Sequence, residues 1–284
     1  MLHGWAQNVH VFSNRSRKLV KRLTRAGYRV VFLQAPHRLP PKQVSAKELE
    51  EEEEEEKENE SSSHIHQNQT TASSSSSRKY AYGWFLYNKD DPAGDSNPLP
   101  SLTGDYHGMN ESLEYLQLEL LRLVTDNEEP TNSLPLFLLG FSQGAVLVHK
   151  VVATLVCHQA ERQQTQQESD TNATQPRPPI TNPWSRISKC VLVSGFPFQQ
   201  MSVHGNNNND MDDRSVAHTK TIPSLHVVGT QDSRVAPYLT RQVYEQEPCF
   251  RGKCVQWEHP KGHVLPTDQA FCEFLIQFLD GPCH

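Results

Sequence analysis

The sequence lacks any apolar run long enough to cross a bilayer, which takes about 20 consecutive residues. Its first residues, Met1-Leu-His-Gly-Trp-Ala-Gln-Asn8, also lack the basic segment followed by an apolar one that marks an export signal. These two absences predict a protein without a membrane span. We expect it in the cytoplasm, and it could also enter the nucleus.

Cysteine is scarce and scattered, with six residues at positions 157, 190, 249, 254, 272 and 283. Cys249 and Cys254 are close enough in sequence to pair, but without an export signal free thiols are favoured. Cys157, Cys190 and Cys272 fall within apolar patterns. We expect these three to be reduced residues of the core.

The chain has little net charge outside one segment. It carries 27 basic and 33 acidic side chains, for a formal net charge of −6. Residues 47–60 hold ten glutamates and two lysines, so the rest of the chain is nearly neutral. No charged binding face is expected, and the composition does not predict a nucleic-acid partner. It indicates no particular protein partner either.

Three polar tracts contain few apolar residues to bury: 42–78, 159–182 and 205–220. The first contains runs of glutamate and serine, the second is rich in proline, and the third holds a run of asparagine. Such compositions predict disorder. The tracts interrupt segments of strand-like and helix-like pattern, so we expect them to be insertions within a single domain over 1–284.

The remaining segments alternate between helix-like and strand-like patterns. Helices are predicted at Ser13–Ala26, where Ser13 would be the N-cap and Gly27 the stop, near Met109–Val124, at Pro237–Gln246 and at Asp268–Leu279. Strands are predicted at Tyr28–Leu33, Leu134–Leu139, Ser188–Ser194, Pro223–Gly229 and Lys253–Glu258. These strands are mostly apolar rather than alternating, which indicates a mostly parallel sheet with helices on both faces, an α/β fold.

The most informative motif is a glycine-flanked serine. An apolar run ends in Gly140-Phe-Ser142-Gln-Gly144, and a helix-like apolar run over 145–156 follows. A Gly-x-Ser-x-Gly sequence between a strand and a helix is typical of a nucleophile elbow, where a sharp turn exposes the serine hydroxyl near backbone N–H groups. We therefore predict Ser142 as a nucleophile; the alternative is a turn with only a structural role.

Two later loops carry the partners that a serine nucleophile needs. Asp232 follows the strand that ends at Gly229, and His263 follows the strand that ends at Glu258. The chain order Ser, Asp, His is that of the α/β-hydrolases. Asp232 could instead be only a turn former, and His263 only a surface histidine.

His259 competes with His263 for the role of base, but it lies nearer the strand end, where a structural hydrogen bond explains it. The spacing of these two histidines also resembles that of a metal site, yet no cysteine or carboxylate partner accompanies them. We expect neither a metal nor another cofactor.

The predicted roles follow from acid–base chemistry. A neutral His263 imidazole takes the Ser142 proton during attack and later returns it to the leaving group, while Asp232 fixes the tautomer. The tetrahedral intermediate needs N–H donors. We expect the backbone N–H of Gln143 and, from the loop after the first strand, that of Trp5.

Five segments occur in the order of a known family: Leu2-His-Gly-x-x-Gln-Asn8, Gly140-Phe-Ser-Gln-Gly-Ala145, Ser194-Gly-Phe196, Gly229-x-x-Asp232 and His259-Pro-x-Gly-His263. Together with the aromatic Tyr82-Gly-Trp-Phe85, they resemble the eukaryotic FSH family of serine hydrolases over nearly the whole chain except the polar tracts. The resemblance implies an α/β-hydrolase fold and carboxylic-ester hydrolysis by a triad of Ser142, Asp232 and His263. In that family an apolar strand precedes Leu-His-Gly, so a start at Met1 implies a truncated first strand.

We therefore expect a serine esterase that works through an acyl-serine intermediate and whose partner is a small-molecule ester. Thioesters and lactones are close variants of this substrate. The alternative is a catalytically silent α/β-hydrolase fold that acts as a binding or scaffold protein. Residues that could line an acyl pocket, or simply pack in the core, are Trp84, Phe85, Phe196, Phe198 and Val235.

Overall fold

The computed structural model describes residues 1–39, 80–87, 106–125, 135–155, 183–198, 222–246, 248–250 and 254–281. The predicted insertions at 42–78, 159–182 and 205–220 lie outside the described residues, as does Cys157. The organisation as one domain stays a prediction.

Helices and strands alternate along the chain as the sequence predicts. The helices are α1 (Val9–Arg15), α2 (Arg17–Arg25), α3 (Met109–Thr125), α4 (described over 143–155), α5 (Pro237–Gln246) and α6 (Gln269–Asp280). The strands are β1 (His37–Arg38), β2 (Tyr82–Gly83), β3 (Leu136–Phe141), β4 (Ile187–Val193), β5 (Ser224–Gly229) and β6 (Cys254–His259). The predicted α3, α5, α6 and β3 to β6 are thus confirmed to within about two residues at each end.

The main sheet is parallel, with the strand order β3-β4-β5-β6. Its register aligns Leu139, Val191, Leu225 and Val255 across the four strands. A separate two-stranded antiparallel pair joins β1 to β2. Parallel strands place all of their carboxyl ends at one edge of the sheet, where the loops that carry functional residues collect.

The first residues extend the sheet beyond β3. Leu2 bridges Gly140 on one side and Leu33 on the other, both in parallel. The predicted short first strand is thus a single bridged position. The predicted strand Tyr28–Leu33 is wrong in extent, because only Leu33 forms a bridge. Its N–H donates to the Met1 carbonyl, 3.2 Å away, and the Met1 ammonium donates to the Val31 carbonyl at 2.6 Å. A regular strand needs consecutive pairs, and Met1 and Leu2 lie beside only its last residues.

The predicted helix Ser13–Ala26 is two helices. The first begins earlier, because Asn8 caps it by accepting a hydrogen bond from the Val11 N–H at 2.9 Å. The helix is interrupted at Ser16, which separates α1 from α2. The Ser16 hydroxyl donates to the Phe12 carbonyl at 2.7 Å. Gly27 ends the second helix with a φ of +90°, as predicted.

Two apolar cores lie on the two faces of the sheet, because successive side chains of a strand point to opposite faces. Leu138 of β3 and Leu192 of β4 belong to one core, which also contains the buried residues of α3, α4 and α5. Leu139 and Val191 belong to the other core, with those of α1, α2 and α6. This arrangement confirms a sheet covered by helices on both faces.

The described parts of the chain contain no helix that is both long and apolar enough to cross a membrane. Cys249 and Cys254 do not form a disulfide, as predicted. Cys190 and Cys272 are buried free thiols, also as predicted. Burial raises the pKa of the Cys272 thiol to about 11, so this sulfur stays protonated at neutral pH.

Candidate active site

Ser142 lies at the sharp turn between β3 and α4. Its φ of +53° is in the left-handed region, which costs a non-glycine residue energy and is typical of a strained functional turn. The Ser142 N–H donates to the Val193 carbonyl at the end of β4, 2.8 Å away. Its own carbonyl accepts the first hydrogen bonds of α4, from Ala145 and Val146. The turn is therefore tied to both the sheet and the helix.

The two glycines that flank Ser142 allow this close packing. A Cβ on Gly140 would overlap the Gly144 carbonyl and lie 2.6 Å from the Ala145 nitrogen. A Cβ on Gly144 would lie 2.5 Å from the Leu2 oxygen and 2.7 Å from the His3 oxygen. Real Cβ atoms do not approach other atoms this closely, so both positions need glycine.

Asp232 follows β5 in a tight turn of its own. Its Oδ1 accepts hydrogen bonds from the Arg234 and Val235 N–H groups at 2.9 and 2.8 Å. Burial by itself raises the pKa of the carboxyl, but hydrogen bonding to His263 and Val235 outweighs burial and lowers the pKa below its usual value. The buried Ser194 hydroxyl also favours the charged form, although it makes no hydrogen bond of standard geometry. The carboxylate is therefore charged at neutral pH.

His263 lies in the loop after β6 and contacts Asp232 and Phe141. Its Nδ1 lies 2.7 Å from the Asp232 Oδ2. Because a carboxylate only accepts, Nδ1 carries the proton, and in the neutral imidazole Nε2 has the lone pair. The imidazole also packs on the Phe141 ring, with centroids 4.9 Å apart, directly beside Ser142. The structure thus joins His263 to Asp232 and packs it on the residue before Ser142, while a triad of the three residues stays a prediction.

His259 has a different environment. It is buried at the end of β6, and its Nδ1 accepts a hydrogen bond from the Lys261 N–H at 3.2 Å. Burial lowers its pKa, with a smaller effect of the Lys261 charge. The ring therefore stabilises the loop that leads to His263. Across the described ranges, no cluster of three or more His, Cys, Asp or Glu side chains could hold a metal ion.

The loop that contains Trp5 packs directly on the serine turn. A Cβ on Gly4 would lie 3.1 Å from the Phe141 ring and 3.3 Å from the Ser142 Cβ. The Gly4 N–H donates to the Gln7 Oε1 at 3.0 Å, so this donor is already occupied. The next donor along the chain is the N–H of Trp5.

His3 fixes the orientation of that donor. Its Nε2 accepts from the Ala35 N–H at 3.1 Å, so Nδ1 is the protonated nitrogen and donates to the Gly4 carbonyl at 2.8 Å. Burial lowers the pKa of His3 to about 4, and the ring stays neutral. In a trans peptide the carbonyl and the next N–H point in opposite directions, so the Trp5 N–H points away from His3.

The aromatic residues predicted for a pocket are mostly enclosed. Trp84 and Phe85 are fully buried, and Phe196 and Val235 are exposed by only 1% and 3%. Sequence reasoning missed Tyr87 and Tyr106, whose rings pack on Phe85. It also missed the side chain of Gln143, a buried amide bonded to the Trp84–Phe85 backbone. The one available signal was a polar residue directly before the apolar run that begins at Ala145.

A groove of about 440 Å³ lies elsewhere, beside α1. Its lining includes Asn8, His10, Gln34, Tyr80 and Tyr82 and none of the predicted triad residues. We therefore do not assign the chemistry to this groove.

Comparisons with known proteins identify the family of the chain. The family model described as serine hydrolase (FSH1) matches residues 1–275. The protein named family of serine hydrolases 3 from Saccharomyces cerevisiae is 24% identical over 281 residues, which cover 99% of this chain and 82% of the yeast protein. Rhodanese-like domain-containing protein 6 from Arabidopsis thaliana is 25% identical over 98% of this chain, but the chain spans only 38% of that protein's length.

Among solved structures, acyl-protein thioesterase 2 from Zea mays matches with a TM-score of 0.47 and 15% identity. The match covers 98% of this chain and 91% of the thioesterase chain. That similarity is too weak to inform the site. The match to the family model covers nearly the whole sequence, and the parallel sheet has the expected helices on both faces. The chain belongs to the serine hydrolase (FSH1) family and has an α/β-hydrolase fold.

Proposed function

We propose that this protein hydrolyses carboxylic esters through an acyl-serine intermediate formed on Ser142. The observation that carries the proposal is the 2.7 Å hydrogen bond between the Asp232 carboxylate and the His263 Nδ1, with the ring packed against the residue before Ser142. This geometry leaves the Nε2 lone pair as the base, as a triad requires.

The proposed reaction has two steps. In the first, the Ser142 Oγ forms a bond to the ester carbonyl carbon while its proton moves to the His263 Nε2. The alcohol then leaves, with the proton returned from His263. In the second step, water attacks the acyl-serine by the same proton transfers and releases the carboxylic acid, which regenerates Ser142.

The oxyanion of each tetrahedral intermediate would bind two backbone N–H groups. Gln143 occupies the first turn of α4, where N–H groups have no partner within the helix and the helix dipole favours negative charge. The Trp5 N–H faces away from His3, in the loop that packs on Ser142. These contacts support the predicted oxyanion hole.

The substrate class in this proposal is a small-molecule carboxylic ester, and thioesters and lactones fit the same chemistry. The cytoplasmic location predicted from the sequence stays a prediction.

A fluorophosphonate probe tests the proposal, because it labels only an activated serine. We expect labelling of the wild type and none of Ser142→Ala. A wild type that is not labelled would instead indicate the silent scaffold.

The base is tested by ester turnover: His263→Ala should lower kcat by several orders of magnitude, and His259→Ala, the matched control, by far less. The reverse order would assign the base to the wrong histidine.

A further inference from the structure

The side chain of Gln143 is a buried amide with a defined set of partners. Its Oε1 accepts from the Trp84 N–H at 2.7 Å, and its Nε2 donates to the Phe85 carbonyl at 2.7 Å. These partners lie 59 and 58 residues away in the sequence. The residue directly after Ser142 is therefore bonded to a distant stretch of backbone, much as a neighbouring strand would be.

Few residues of that backbone stretch belong to a regular β-strand. Within the described segment 80–87, a regular strand covers only Tyr82–Gly83, and Leu86 adds one bridge to His107. Side chains hold the residues between. The Trp84 indole donates to the His3 carbonyl at 2.9 Å, and the Ser112 hydroxyl of α3 donates to the Trp84 carbonyl.

The same stretch contributes two rings to a cluster that we name the aromatic wall, which consists of Trp5, Phe85, Tyr87 and Tyr106. Tyr87 packs edge-on against Trp5 at a centroid distance of 5.1 Å, and Phe85 packs on Tyr106 at 4.6 Å. The Tyr106 hydroxyl reaches the Pro197 carbonyl at 3.4 Å, in the loop after β4. The aromatic wall therefore runs from the Trp5 loop to the loop after β4, and both loops adjoin Ser142.

Gln143 also acts on the aromatic wall directly. It does so through its hydrogen bond to the Phe85 carbonyl. The amide thus holds the stretch at two neighbouring residues, 84 and 85. A polar side chain with no exposed surface loses its hydrogen bonds only at a considerable cost in free energy.

We propose that the Gln143 side chain is a positioning residue that sets acyl-chain selectivity by fixing the aromatic wall against the serine turn. The inference rests on the proposed ester hydrolysis at Ser142. The backbone of Gln143 would bind the oxyanion, while its side chain would hold the aromatic wall, whose partly exposed rings of Trp5, Tyr87 and Tyr106 would meet the acyl chain. Without the amide, the wall would be free to shift, and esters of different acyl length would be distinguished less well.

The test compares kcat/KM over a series of p-nitrophenyl esters from acetate to decanoate. Gln143→Met keeps the length of the side chain and removes its hydrogen bonds. We expect the spread of kcat/KM between the best and worst ester to shrink at least about tenfold, because a pocket discriminates by about 10- to 200-fold per methylene. Gln242→Met is the matched control and should keep the wild-type spread, because the Gln242 amide of α5 donates to the Gln246 Oε1 in an exposed hydrogen bond within one helix.

Ser112→Ala provides a second variant that does not alter the serine turn. It removes the hydroxyl that holds the Trp84 carbonyl from α3, so it should flatten the same profile to a smaller extent. The double variant should flatten it by less than the product of the single effects, because both side chains hold one segment. If Gln143→Met does not fold, Ser112→Ala still tests the inference.

A role confined to stability would lower kcat/KM by one factor for every ester and leave the spread unchanged, and that result would overturn the inference. A wild type that turns over the whole series within about threefold would overturn it too. A wild type that hydrolyses no ester at all contradicts the proposed function itself, so the two failures are distinguishable.

Discussion

Replacing Gly144 by alanine perturbs the packing between the serine turn and the Trp5 loop. The added Cβ would lie 2.5 Å from the Leu2 oxygen and 2.7 Å from the His3 oxygen, both of them backbone atoms. Ordinary contacts of a Cβ begin at 3.4 Å, so the two segments must separate by roughly 0.7 to 0.9 Å. That shift would move the Trp5 N–H away from the oxyanion position beside Ser142.

Overpacking of this kind costs about 1–3 kcal/mol in the free energy of unfolding. A misplacement of about 1 Å in an active site costs about 100-fold in rate. We therefore expect Gly144→Ala to lower kcat/KM for an activated ester by about 10- to 100-fold. The assay is hydrolysis of a p-nitrophenyl ester, with urea unfolding of the same samples.

Gly262→Ala is the matched control, because its Cβ would meet only the Gln231 oxygen at 3.4 Å, an ordinary contact. It should stay within about 0.5 kcal/mol of the wild-type free energy of unfolding. If Gly144→Ala keeps both the stability and the kcat/KM of the wild type, the inferred contact between the serine turn and the Trp5 loop is wrong.

Three other predictions use separate parts of the structure. Asp232→Asn should lower kcat by about 10³- to 10⁴-fold, because an amide cannot fix the His263 tautomer. Asp268→Asn is the control: it keeps an equally good N-cap on α6 and should leave kcat unchanged in the same assay. Lys189→Met should lower the free energy of unfolding, measured by urea unfolding, by about 1–3 kcal/mol. The reason is that the buried ammonium donates to the carbonyls of residues 278, 279 and 281 at the end of α6. A variant as stable as the wild type would refute this. Burial, with a smaller effect of a neighbouring histidine, lowers the pKa of His226 to about 3. As the pH falls below 6.5 the unfolded chain therefore binds a proton that the folded chain does not, and the free energy of unfolding drops by up to about 1.4 kcal/mol per pH unit. His226→Gln should reduce this slope between about pH 6 and pH 4, and an unchanged slope would contradict the assignment.

The strands and the candidate triad could be predicted from sequence because their signals are local. An apolar run before Gly140 predicts β3, which continues through that glycine to Phe141. The parallel order brings the loops with Asp232 and His263 to the same edge as Ser142. The alternation of strands with helices was likewise enough to indicate two covered faces.

The remaining features depend on contacts that no local pattern carries. The break at Ser16 coincides with a side-chain hydrogen bond to the Phe12 carbonyl, which the spacing of apolar residues does not indicate. The strand predicted at 28–33 has the right composition, but its pairing depends on the neighbour available in the sheet. The bonds of the Gln143 amide join residues almost 60 positions apart, so only the folded chain reveals them.

The most direct test of the central claim is to trap the acyl-enzyme. Purified protein is mixed with excess p-nitrophenyl ester, quenched in acid within milliseconds to seconds and measured by intact mass spectrometry, with the adduct located by peptide mapping. We predict a burst of p-nitrophenol together with a single acyl adduct on Ser142, which is absent from Ser142→Ala. Ester turnover with no adduct on Ser142, or with the adduct on another residue, would contradict the account.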